Sequence, residues 1–153
     1  MIPNQIIEQP APRVAWMRLL SLSDWNDFNT WGSCFAATPH EILRSPETGL
    51  VMLRGRMGST GAAFNLGEAT VTRCAVRLKS GEEGHAYVMG RNAAHAHLAA
   101  ICDALLQTAE GAPEVRGKVL APLEVKLQAE RILASTKAAA TKVDFFTMVR
   151  GDD

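Results

Sequence analysis

Apolar residues recur along this chain in more than one rhythm, and each change of rhythm marks a change of element. From Val14 to Leu22, and again from Trp25 to Phe35, they return every three or four positions; Trp25, Phe28, Trp31 and Phe35 form one stripe, the mark of a helix with a single buried face. Pro12 suits the first turn of the first helix, where a missing N–H costs nothing, and Asp24 suits the N-cap of the second. Residues 1–11 read as an irregular leader. Thr38-Pro39 then ends the helical period.

Between His40 and Met89 the runs become short, β-branched and separated by turn residues. The pattern predicts a strand over His40–Ser45, a turn at Pro46-Glu47-Thr48-Gly49 and a returning strand over Leu50–Met57, followed by the loop Gly58-Ser59-Thr60-Gly61. Glu68 to Lys79 alternates cleanly, with Thr72, Cys74, Val76 and Leu78 on one side and Arg73, Ala75 and Arg77 on the other. Ser80 to Gly84 links it to a fourth strand, His85–Met89. Asn92 then caps a helix carrying Ala94, Leu98, Ile101, Cys102 and Leu105 at period 3.6 and ending near Gly111. A second helical run begins at Pro122 with a stripe of Leu123, Leu127, Ala134 and Ala138. Lys142 to Val149 is too apolar on both faces for a solvated edge and predicts a covered last strand. The expected fold is α+β: one domain over 1–153, an antiparallel β-meander packed with N-terminal and C-terminal helices and closed by a C-terminal strand.

Composition narrows the class. A chain of 153 residues, 47% apolar and 21% charged, is of a size and balance for one self-supporting core. Sixteen basic and sixteen acidic side chains leave no global field for nucleic acid or an anionic membrane, so any anion binding is local. No stretch approaches the length needed to cross a bilayer and no export signal opens the chain. Three cysteines without a C-x-x-C spacing argue against a disulfide framework and a four-thiolate metal site, and a reducing cytoplasm fits best.

Candidate chemistry is sparse. Arg54 and Arg56 alternate on one strand face directly before a loop in which Gly58, Thr60 and Gly61 suit a phosphate nest, although neither a Walker loop nor a dinucleotide fingerprint is present. Arg73 and Arg77 share a face, so four arginines are expected to gather on one side of the sheet, either as a salt-bridged protein–protein surface or as a phosphate pocket. Arg91, before a helix N-terminus, is a further anion candidate. His95 and His97 point in different directions on a helix, and His40 and His85 lie on separate strands, so no metal site is assigned. Cys74 falls on the apolar side of its strand and reads as packing; Ser59 and Thr60 have no nearby base; Glu47, Glu68 and Asp144 are scattered. No catalytic residue is therefore assigned. The apolar C-terminal segment offers Phe145, Phe146 and Met148, with Arg150, as partner-interface candidates.

The ordered set Glu47-Thr48-Gly49-Leu50-Val51, Arg54 to Gly61, Gly67 to Leu78, Gly90-Arg91, Asp103-Ala104-Leu105-Leu106, Ala121-Pro122-Leu123 and Val143 to Asp152 resembles the G subunits of the bacterial carbon-phosphorus lyase system, the PhnG family. The resemblance runs from about residue 10 to the end, with two departures: Ser59 where a second glycine is expected, and Asn92 where an aspartate is expected. It implies membership of a cytoplasmic core complex of G, H, I and J subunits, two copies of each, with K and L proteins associated. It also implies that this complex replaces the adenine of MgATP with a phosphonate at ribose C1. In such a system the displacement is credited mainly to the I subunit, and a later radical S-adenosylmethionine step uses an iron-sulfur cluster on the J subunit. The resemblance thus implies a noncatalytic role here, with no cofactor bound by this chain. A different reading of the residues alone is a phosphate- or nucleotide-binding protein acting by itself through Arg54, Arg56, Thr60 and Arg91.

Overall fold

The computed structural model describes residues 12–58 and 60–142. Helix α1 (Pro12–Leu22) opens on Pro12, and α2 (Trp25–Gly32) opens on Asp24, whose carboxylate accepts from the Asn26 N–H at 2.9 Å. A 3-10 turn, Ser33–Phe35, finishes this pair. Strands β1 (His40–Arg56), β2 (Ala63–Leu78) and β3 (Glu83–Met89) form one antiparallel sheet in the order β1-β2-β3. Helix α3 (Ala93–Leu105) packs across it, capped as expected by Asn92, which accepts from the His95 N–H at 2.9 Å. A short α4 (Gly111–Val115), a π-helical turn (Arg116–Leu120) and α5 (Ala121–Ala140) complete the described chain. The leader and the expected last strand, with Phe145, Phe146, Met148 and Arg150, lie outside the described residues.

The α+β meander stands, but with three strands. Pro46 to Gly49 is no hairpin; the 17-residue β1 runs straight through it. Two register shifts, between Ile42 and Arg44 and between Arg44 and Glu47, absorb an extra residue each, and Ser45 and Pro46 together face Cys74. A proline cannot donate to a ladder, and β1 is an edge strand, where a bulge and an idle N–H position cost least. Turn chemistry was therefore present in the sequence, and the bulge used it.

The core lies between the sheet and α3. Cys74, Val76 and Leu78 from β2 and Ala86 and Val88 from β3 meet Ala96, Ala99, Ala100 and Ala104 of α3, while Phe28, Leu20 and Trp16, with Val115, Val119 and Leu123 from the C-terminal helices, complete the same cluster. The alanine face lets α3 approach the sheet closely, and Gly84 of β3 meets its backbone directly. Thr72, almost fully buried, donates to the Gly90 carbonyl at 2.7 Å and accepts from the Asn92 N–H at 3.2 Å, so β2 holds the turn that starts α3. That turn needs glycine, since Gly90 has φ +85°.

Two helical expectations change. The α3 run ends at Leu105, six residues short of Gly111, and a new helix starts there. The stripe Leu123, Leu127, Ala134 and Ala138 packs only at its beginning: Leu123 is buried, Leu127 half-buried, and everything from Gln128 to Lys142 exposed. The widened turn before α5 falls where Pro122 has no N–H to offer the preceding turn and its ring needs room.

Candidate functional site

Strand β3 pairs β2 only from Val71 to Arg77, whereas β1 pairs β2 out to Arg56 and Ala63. The result is an arm of two strands, Gly49–Arg56 with Ala63–Thr70, and no described residue from 49 to 70 is buried. Leu50, Met52, Leu53, Met57, Phe64 and Leu66 are exposed on it. Small residues thin it further, Gly49, Gly55, Gly67 and Ala69 among them.

The arm ends in the loop that carries the candidate phosphate residues. Gly58 has φ +58°, and the Gly61 N–H donates to the Met57 carbonyl at 3.1 Å. A Cβ on Gly61 would collide with that same carbonyl, so the tight return requires glycine there. Arg56 donates to the Gly61 carbonyl at 3.1 Å and braces the loop. The Gly61 amide is thus spent inside the loop, and what the tip presents outward is Thr60 and the exposed side chains of Arg54 and Arg56.

The four arginines do not gather. Arg54 pairs with Asn65, and Arg73 lies eight positions further along β2, roughly 27 Å at about 3.4 Å per residue. Arg73 binds Glu47 at 2.6 Å, and Arg77 binds Glu83 at 2.6 Å and Glu41 at 3.6 Å. Those two belong to a salt-bridged strand surface. Arg54, Arg56 and Arg91 have no ion pair among the described residues, and Arg91 is exposed beside the Asn92 cap at the base of the arm, next to the Gly90 N–H that donates to the Thr70 carbonyl. A cleft of about 750 Å³ is rimmed by Lys79, Glu82, Glu110 and Glu114 over Phe35 and Leu105, and none of the candidate arginines lines it.

The histidines pair in a way their spacing concealed. His40 meets His97, Nε2 to Nε2 at 2.8 Å. A carbonyl only accepts, so His40 donates from Nδ1 to Thr38 at 2.6 Å, and in the neutral pair His97 supplies the proton between the rings. His95 is buried against Trp25 and Phe28 and donates from Nε2 to the Leu20 carbonyl at 2.8 Å. Burial holds His95 below its ordinary value, and burial with the neighbouring His40 does the same to His97. An unfolded chain binds protons at these imidazoles more readily than the folded one, so both stabilise the fold fully above about 6.5 and progressively less as pH falls from there through their lowered folded values. Urea midpoints are expected to drop between about pH 7.5 and about pH 5.5, with a smaller drop in His95→Gln; parallel profiles in the two proteins would contradict this account.

Cys74 packs in the core with its thiol pushed up by burial, and Cys102 is pushed up to about 12 by the same cause. Neither is poised as a nucleophile. Among the described residues no three His, Cys, Asp or Glu side chains converge as a metal set, and no described helix is long and apolar enough to cross a membrane.

The residue that spacing did not reveal is Asp103. Its fully buried carboxylate receives Arg13 at 2.8 Å, the Trp16 indole N–H at 2.8 Å and the His85 backbone N–H at 2.9 Å, joining α1, α3 and β3. A charged residue on the buried face of an otherwise apolar helix was the available signal.

The family model described as phosphonate metabolism protein PhnG matches residues 11–151. The alpha-D-ribose 1-methylphosphonate 5-triphosphate synthase subunit PhnG of Rhizobium meliloti (strain 1021) is 44% identical over 144 residues, covering 94% of this chain and 92% of that protein. With the match spanning α1 to the C-terminal segment, including the arm and its tip, this chain belongs to the PhnG family of phosphonate metabolism proteins.

Proposed function

We propose that the chain is a noncatalytic accessory subunit of a cytoplasmic alpha-D-ribose 1-methylphosphonate 5-triphosphate synthase, assembling with H, I and J subunits and with associated K and L proteins. In this reading a phosphonate oxygen attacks ribose C1 of MgATP in a partner's site, the bond to adenine breaks, and adenine leaves with a proton. The arm of this chain reaches that site, and Arg54 and Arg56, set by the Gly58, Thr60 and Gly61 loop, face the anionic phosphonate or triphosphate. MgATP is held by partner residues, and the later iron-sulfur and S-adenosylmethionine chemistry belongs to a partner as well.

The single observation behind this reading is the pair of exposed guanidinium groups, without an ion pair among the described residues, at the end of an arm that the chain's own core does not cover. The apolar side chains exposed along the arm, Leu50, Met52, Leu53, Phe64 and Leu66, also suit a water-excluding role, favouring phosphonate over water as the attacking group. The test is the reconstituted synthase carrying Arg54→Ala with Arg56→Ala. Assembly is expected to survive while phosphonate transfer falls about 10²-fold. Unchanged transfer would overturn the assignment of the tip, and full transfer by the isolated chain would overturn the accessory role. A lone phosphate- or nucleotide-binding protein would instead bind its ligand by itself, and calorimetry with ATP and with methylphosphonate distinguishes the two.

A further inference from the structure

The sheet has two outer edges, and part of each is guarded. On β3 the His85 N–H is taken by Asp103 at 2.9 Å, while the Glu83 carbonyl accepts Arg13 at 3.0 Å and Gln107 at 2.7 Å. Side chains from α1, from α3 and from the turn after it thus occupy the Glu83–His85 part of that edge. On β1, from His40 to Glu47, two bulges, Pro46 and the charges of Glu41, Arg44 and Glu47 do the same work by twist, a missing donor and solvation. The protection stops at Gly49.

From Gly49 to Leu53 the strand pairs with Val71 to Gly67 without a register shift, and it carries neither a charge nor a proline. Side chains are open to solvent on both faces, Leu50 by 64% and Met52 by 52% on one and Leu53 by 40% on the other, with Val51 half-buried. The opposite edge of the arm is a poorer template, because β2 bears Glu68 there and a bulge at Leu66 before Asn65. A two-stranded ribbon is marginal by itself in water, so an uncovered one with a regular apolar edge is unfinished structure.

We infer that the edge of β1 from Gly49 to Leu53 takes an apolar β-strand from another subunit of the synthase, by backbone pairing that leaves Arg54 and Arg56 to the anionic substrate. The inference rests on the accessory-subunit reading above. Register decides against a second copy as the occupant. Two arms pairing antiparallel about Val51 would set Arg54 opposite Thr48 and Arg56 opposite Pro46, so the ladder would run into the bulged stretch where the proline has no N–H to give, and both arginines would be drawn away from a partner's substrate.

The test is backbone exchange of the full chain alone and within the assembled synthase, joined with Val51→Pro and Met52→Pro. Successive residues of a strand direct their N–H groups to opposite sides, so one proline removes a bond to β2 and the other removes only an outward donor. Exchange over 49–53 is expected to slow at least tenfold on assembly, and the outward proline is expected to leave the isolated chain unchanged while weakening assembly at least tenfold. Native assembly by the outward-proline variant, or no new protection over 49–53, overturns the inference. So does a chain that dimerises by itself with protection in that stretch, which makes a second copy the occupant. Should both prolines unfold the arm, the exchange comparison of the unaltered chain decides. The two readings fail separately: an edge variant that assembles normally beside an inactive Arg54→Ala Arg56→Ala variant removes the edge and leaves the accessory role.

Discussion

Replacing Asp103 with alanine is expected to cost the fold about 3–5 kcal/mol, the range for breaking a buried charge pair from one side. The carboxylate is fully buried and receives donors from three elements: Arg13 and Trp16 of α1 and the His85 backbone of β3. Alanine leaves the Trp16 indole N–H and the His85 N–H without an acceptor, and each orphaned buried donor carries its own desolvation penalty. Asp103 also sits near the C-terminus of α3, where the helix dipole disfavours a negative charge, so the position is held by its partners against a local electrostatic cost. Arg13→Ala should cost less, because Arg13 is partly exposed and two acceptor contacts of Asp103 survive. Urea denaturation of the two single variants and the double variant measures this. A loss below about 1 kcal/mol in Asp103→Ala would mean that the cluster does not tie the three elements together.

Gly84→Ala is the second large effect. A Cβ at this position would run into the Ala100 carbonyl oxygen and come within 2.6 Å of the Ala104 amide nitrogen. These are backbone atoms of α3, which cannot rotate aside, so the helix must lift off the strand. Overpacking of a well-packed core costs about 1–3 kcal/mol and sometimes more, and the rigid obstacle here places the expectation at about 3 kcal/mol or above. Thermal unfolding checks it, with Gly67→Ala as the comparison, since nothing lies within 4 Å of a Cβ there. Equal shifts for the two variants would show that α3 does not sit on Gly84.

The helices, caps and most strand limits were legible because they depend on neighbours in the chain. Asp24 and Asn92 cap the helices that follow, and the Thr72, Cys74, Val76 and Leu78 side of β2 is buried as its alternation requires. The hairpin at Pro46 was misread for a reason of the same kind: Pro-Glu-Thr-Gly has turn chemistry, and only pairing with Arg73 and Thr72 turns it into a bulge on an edge. At the candidate site, Arg54 and Arg56 could be picked out by their spacing before a glycine-rich loop. Their separation from Arg73 and Arg77 could not, because it follows from strand register.

What the residues alone settled is therefore the helices and most of the strand segments, the arginines beside a glycine-rich loop, and a family pattern spread over nearly the whole length. Pairing, register and burial settled the rest. His40 meets His97 across 57 positions and Arg13 meets Asp103 across 90, contacts that no periodicity within a segment encodes. The arm has the same origin: β3 ends its pairing at Val71, so β1 and β2 continue past the core with an open edge. Local propensity acts over a few residues, whereas solvent is excluded, and charge matched, by whatever the chain brings near from far away.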